Sequence, residues 1–170
     1  MATFSLQQDA YAVEISEPSN TTRSEPTLGD ILCSNELSRE VIEISRWPIG
    51  PVCVRCGAFH KACQVTSRPG LWTCKACRNC QYTVTSGTPL HGTRIDLSKW
   101  VQLFCFKKIW DTELNSASLA RHLDVSYLTT RRMIQKITEM EQVMPAMTER
   151  LETNLRTLMD KNSPRSWQFD

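Results

Sequence analysis

Cys53-Val54-Arg55-Cys56 and Cys74-Lys75-Ala76-Cys77 are two C-x₂-C pairs set seventeen residues apart. That spacing reads as a zinc site. Two residues between thiolates let one tight turn present both sulfurs to a single ion. Two such turns at the tips of adjacent hairpins complete a closed tetrahedral shell of four cysteines. A shell with no position left for water predicts one structural zinc ion and no catalytic one.

Working outward, residues 49–93 read as a small ribbon of short antiparallel strands. Thr66-Ser67-Arg68-Pro69-Gly70 forms the turn between its halves. Leu71-Trp72-Thr73 and Tyr82-Thr83-Val84-Thr85 have strand composition. Cys80 continues the series as a third C-x₂-C step and competes for the metal, but two symmetric knuckles favour Cys53, Cys56, Cys74 and Cys77. His60, four residues after Cys56, is a substitute ligand for which surface exposure is the simpler reading. Cys63 reads as a strand residue, and Cys33 and Cys105 as small core hydrophobes. His91 and His122 carry no signal.

Past the ribbon the periodicity changes to that of helices, so the fold class is α+β. Leu37, Val41 and Ile44 give residues 34–48 a short helix, with Ser34 or Asn35 as its cap and Pro48 beyond its end. In residues 96–138, Leu97, Trp100, Val101 and Phe104 share one helical face. Lys99, Lys107 and Lys108 lie mostly off it. After a loop at 111–115, residues 116–134 read as a helix-turn-helix. A first helix begins at a Ser cap, Ala120 lets the second pack closely, and Leu119, Leu123 and Val125 fill the angle. Asp124 takes the left-handed turn position and Ser126 caps the second helix. With Val125, Met133, Ile134 and Ile137 inward, Ser126, Tyr127, Leu128, Arg131, Arg132 and Gln135 point outward as candidate DNA contacts. The bland alternative is a helical hairpin with a solvated basic face.

A C-terminal helix over 139–162 carries a stripe of Met140, Met144, Met147, Leu151, Leu155 and Leu158, restarted at Pro145. The stripe spans only about two and a half heptads, so it fits core packing better than a coiled coil, but it is also a candidate homodimer seam. Residues 1–33, rich in Ser, Thr, Glu and Pro, are expected to form a disordered acidic tail, and residues 163–170 a patternless one.

The charge is segregated along the chain. Residues 1–45 hold eight acids and two bases, residues 46–136 fourteen bases and four acids, and the remainder six acids and four bases. A basic centre between acidic ends suits nucleic acid. The start of the chain lacks a basic n-region and apolar h-region, and no run of about 18 apolar residues exists to span a membrane. Eight cysteines without an export signal favour thiolates on metal in a reducing compartment. The expected location is cytoplasmic and nucleoid-associated.

These residues fall in a family-like order. Arg46-Trp47-Pro48-x-Gly50-Pro51-Val52-Cys53-x-x-Cys56-Gly57 and Arg68-Pro69-Gly70-Leu71-Trp72-x-Cys74-x-x-Cys77 resemble the zinc ribbon of certain bacterial insertion-sequence transposases. Thr85-Ser86-Gly87-Thr88-Pro89-Leu90-His91, Leu97-Ser98-Lys99-Trp100 and Leu123-Asp124-Val125-Ser126 extend the resemblance over roughly residues 44–140. The stretch from Cys77 to Thr88 is a residue longer than in that family, which bears on strand register. In the family a nuclease domain follows, whose acids hold two metal ions. Two-metal chemistry needs carboxylates converging on ions about 4 Å apart on a rigid scaffold. The acids after Lys136 lie along a helix, so the resemblance implies binding of double-stranded DNA without cutting, and no enzyme. The expected roles are transcriptional regulator or transposition accessory or inhibitor. The competing reading is a ribbon that docks on another protein, such as a polymerase or a full-length transposase.

Overall fold

The structure, a computed structural model, describes residues 25–78, 80–110 and 115–162. The expected tail before residue 25, the loop at 111–114 and the segment from 163 lie outside the described residues. The order is α1 (Leu28–Cys33), α2 (Asn35–Arg46), β1 (Ala62–Gln64), β2 (Trp72–Cys74), β3 (Cys80–Tyr82), α3 (Leu97–Lys108), α4 (Ser116–His122), α5 (Tyr127–Val143) and α6 (Pro145–Asn162). It is a mixed α+β fold in which helices dominate.

Helix starts follow local chemistry. Ser34 caps α2 by accepting from Leu37 N, and Ser126 caps α5 by accepting from Thr129 N at 3.1 Å. The first-helix cap belongs to Asn115, not to a serine: its Oδ1 accepts from Ser118 N at 2.8 Å. Asn is as good a cap as Ser, and it sits one residue earlier. α1 corrects the expectation that the acidic tail runs to residue 33. Thr27 and Asp30 form a reciprocal capping box there, and Leu28 and Ile31 are buried.

α3 is the central helix. Trp100, Val101, Leu103, Phe104 and Cys105 are buried over much of its circumference, and it meets α1, α2, α5 and α6. α2 buries Val41 and half-buries Leu37 as expected, but its inward face is rotated away from Ile44. Ser38, Val41, Ile42 and Ser45 face inward, whereas Ile44 is 60% exposed. The serines are tolerated because their hydroxyls donate to main-chain carbonyls, Ser38 to Ile31 and Ser45 to Val41. Small side chains then allow α6 to approach, with Asn154 Nδ2 donating to Ser45 Oγ at 3.0 Å and Arg150 Nε to Ser45 O at 2.7 Å. The apolar stripe of α6 is part of this core: Met147, Leu151 and Leu155 are buried within the one chain. Cys105 is fully buried as expected, and burial pushes its thiol up to about 12. Cys33, at the end of α1, is exposed.

The sheet is β1-β2-β3, antiparallel throughout. β2 pairs Thr73 with Cys63 on one side and with Gln81 on the other. The strand expected over Tyr82–Thr85 ends at Tyr82. There Thr83 N donates to Ser86 Oγ at 3.0 Å and Thr88 Oγ1 to Thr85 O at 2.8 Å. Side chains of a Ser/Thr-rich segment compete with the ladder and close turns instead. Trp47 ties the ribbon to the helices, standing edge-on to Trp72 at 6.4 Å and to Tyr82 at 5.9 Å between ring centres. Lys136 Nζ donates to Pro89 O at 2.6 Å, and Trp100 Nε1 donates to Thr93 Oγ1 at 3.1 Å.

Candidate metal centre and basic helix

Each zinc knuckle is one backbone turn. In the first, Gly57 N donates to Cys53 O at 2.9 Å, and Gly57 has φ of +68°. In the second, the residue that follows Cys77 is also left-handed, but it is Arg78, at φ +52°. The same turn is therefore made once with glycine, at no steric cost, and once with a side chain that disfavours it. β2 delivers Cys74 at its end, so the second knuckle starts directly from the sheet.

The sulfurs of Cys53, Cys56, Cys74 and Cys77 all lie within 4.8 Å of one another. Cys53 Sγ stands 3.5 Å from Cys77 Sγ, and Cys56 Sγ stands 3.8 Å from Cys74 Sγ. Zn–S bonds of about 2.3 Å in a tetrahedron require S···S edges of about 3.8 Å, so the cradle has the size of a zinc shell. It is too wide for a disulfide, whose sulfurs are about 2.05 Å apart. Proton affinity points the same way. Burial opposes charge on Cys53, but the N–H groups of Cys56 and Arg55 and the Cys77 thiol outweigh it, bringing Cys53 down to about 6. Burial and then the neighbouring sulfurs push Cys77 up. Four thiolates this close repel one another, and a divalent cation removes that conflict. One structural zinc fits, held entirely by protein sulfur.

Cys80 and His60 stand outside the cluster. Cys80 opposes Cys74 across the sheet, and its Sγ lies 3.9 Å from Gln81 O, while His60 is exposed against the Phe59 ring. Behind the site Tyr82 is buried, and its hydroxyl and Trp72 Nε1 find no partner among the described residues. Burial, then the nearby thiols, lift the Tyr82 hydroxyl to about 12, so it stays neutral.

In the helical unit, α4 and α5 meet at a tight turn. Asp124 takes φ of +49°, the left-handed conformation expected of it. Lys99 Nζ donates to Asp124 O at 3.0 Å and so bolts the turn to α3. Thr130, Met133 and Ile137 are buried. Ser126, Tyr127, Leu128, Arg131, Arg132 and Gln135 are all exposed on the opposite side. Val125 and Ile134, expected inward, are half-buried at the margin. No acid occurs in the first turn of α5.

Lys107 and Lys108 of α3 are engaged within the chain. Lys107 Nζ is 2.8 Å from Glu141 Oε2 and donates to Thr138 Oγ1, and Lys108 Nζ is 3.4 Å from Glu141 Oε1. They are struts between α3 and α5. Sequence reasoning missed them because Glu141 is more than thirty residues away. By contrast Arg55, Arg68, Lys75 and Arg78 are exposed around the ribbon.

The fold and the cradle define a zinc ribbon joined to a helical unit. Residues 34–80 match the family model described as the transposase zinc-ribbon domain, a match that takes in all four cysteines, α2 and the sheet as far as Cys80. The chain thus carries a transposase-type zinc ribbon. No curated protein and no solved structure matches it.

Proposed function

We propose that this is a zinc-dependent DNA-binding protein that acts by occupying double-stranded DNA, as a transcriptional regulator or as an accessory or inhibitor of transposition, and not by cutting it. The observation that carries this reading is the split of α5. Its buried side is Thr130, Met133 and Ile137, and its exposed side is cationic and hydrogen-bonding, beginning at a capped N-terminus. α4, the Asp124 turn and α5 would serve as a helix-turn-helix, with the first half of α5 in the major groove. Arg131 and Arg132 suit guanine and Gln135 suits adenine. Arg55, Arg68, Lys75 and Arg78 on the ribbon suit phosphates, which fix register without reading sequence. Lys107 and Lys108, engaged with Glu141, are assigned no phosphate. A dimer through α6 is not part of this reading, because Met147, Leu151 and Leu155 are already covered within the chain.

Anisotropy of the zinc-loaded chain on labelled duplex DNA tests it. Four phosphate contacts predict a log–log salt slope of about −3.6, a loss of about 10²-fold in affinity between 50 and 200 mM salt. A flat salt response defeats the phosphate account. Crosslinking in cells then separates the roles, since promoter peaks indicate a regulator and peaks at insertion-sequence ends a transposition factor.

A second reading, docking on another protein, is favoured by exposed Ile49 before the first knuckle and exposed Val54 within it. A pull-down that survives nuclease treatment supports it over the first.

A further inference from the structure

The basic face of α5 contains two side chains that charge does not explain. Tyr127 is 49% exposed and Leu128 is 64% exposed in the first turn of that helix. Neither contributes to the core, which takes Thr130, Met133 and Ile137 from the same helix. Leu128 opens a stripe that continues with Arg131 at i+3, Arg132 at i+4 and Gln135 at i+7, all exposed. At 1.5 Å per residue, Leu128 to Gln135 covers about 10 Å, roughly the height of three stacked base pairs at 3.4 Å each. The stripe borders a shallow recess of about 430 Å³ lined by Ser116, Leu128, Arg131, Arg132, Ile134 and Gln135. Leu128 and Ile134 are its apolar walls, and the guanidiniums and the amide are its polar ones.

This combination restricts what can fill the recess. An apolar partner alone leaves two arginines facing grease, and an anion alone leaves Leu128 unmatched. The major groove of DNA offers both chemistries in adjacent base pairs, because thymine projects a 5-methyl group while guanine presents two acceptors. We infer that Leu128 reads the 5-methyl group of a thymine in a base pair next to the one met by Arg131 or Arg132. The inference rests on the DNA-binding reading and names a specificity determinant within it. The preferred site then contains a thymine adjacent to a guanine, and uracil at that thymine is discriminated against although its hydrogen-bonding edge is unchanged.

The test begins with selection of preferred duplexes from a random library by the full, zinc-loaded chain. The best duplex is then resynthesised with deoxyuridine at each thymine in turn. Loss of one buried methyl weakens binding about four-fold at one position. Leu128→Ala should bind the thymine and uracil duplexes equally, whereas Gln135→Ala should keep the four-fold difference. Leu128 is exposed, so its truncation leaves the fold intact, which a thermal melt verifies. If no thymine is sensitive, or if Leu128→Ala keeps the penalty, the inference is overturned while the DNA-binding reading stands. An equal loss on both duplexes for Leu128→Ala, with the penalty unchanged, makes the leucine a general packing contact and also overturns it. If no duplex is enriched at all, the DNA-binding reading fails and this inference falls with it.

Discussion

The ribbon and the helical unit hold themselves together by different means. The three ribbon strands are three residues each, and most of their side chains are only half-buried. The helical unit closes over a continuous core from Leu28 on α1 to Leu155 on α6, with α3 at its centre. A sheet that small cannot bury enough apolar surface to offset its conformational entropy, so its order depends on the four thiolates and their metal. The helices need no ion. The two regions meet at Trp47, Tyr82, Val84 and Leu90, which belong to the same buried cluster as the helices. The ribbon is thus metal-stabilised at its tip and packed at its base.

The sharpest way to separate the regions is to remove the metal. Cys53→Ser, or chelation of the native protein, should release one zinc per chain. It should also abolish the ribbon's near-ultraviolet tryptophan signal, with an effect on the order of 10 kcal/mol at the ribbon. Helical circular dichroism should largely persist. Retention of one equivalent of zinc by the variant would sink the ligand assignment. Acid provides a graded version. Cys53 has a folded value lowered to about 6, so its contribution is present in full above the unfolded thiol range near 8.5 and is lost as pH falls through about 6. Metal binding carries that loss to lower pH, and a dye that reports released zinc follows it.

Leu155→Ala should show the converse. Leu155 is fully buried among the helices, and its truncation should cost about 2–5 kcal/mol in chemical denaturation while the zinc content stays at one. Zinc loss at the same rate as unfolding would mean that the two regions form one cooperative unit.

Gly70→Ala probes their seam from the ribbon side. Gly70 has φ of +83°, and an added Cβ would lie 2.3 Å from Arg39 Cδ on α2. The flexible Arg39 side chain can move, so the expected cost is mainly the left-handed backbone, about 1–2 kcal/mol. A melt without change would show that the turn re-forms freely.

The smallest effect is expected at Lys107→Ala. It removes a partly exposed ion pair with Glu141, for which about 1 kcal/mol or less is expected. Non-specific DNA affinity should stay nearly unchanged, because Lys107 Nζ is already engaged by Glu141 and Thr138. A uniform fall in affinity for all duplexes would instead place Lys107 at a phosphate.

Sequence alone was sufficient for most features whose cause is local, although the Thr27–Asp30 capping box, the Asn115 cap and the Ser/Thr turns after Tyr82 are local and were not read from it. A C-x₂-C knuckle is one turn of chain, so the zinc ligands could be named from spacing. Ser34 and Ser126 cap with their own hydroxyls, and Asp124 adopts its turn by its own backbone preference. The outward residues of α5 followed from helical periodicity once its start was fixed. Tertiary structure decided whatever depends on a distant neighbour. α2 buries Ser38 and Ser45 rather than Ile44 because Asn154 and Arg150 of α6 meet it on that side. Lys107 and Lys108 serve as struts because α5 brings Glu141 beside them, and Lys99 holds a turn twenty-five residues away. Spacing reports what a residue can do within a turn or two of its own chain. Whether a charge stays available to a partner depends on packing, because only packing determines what stands within three ångströms of it.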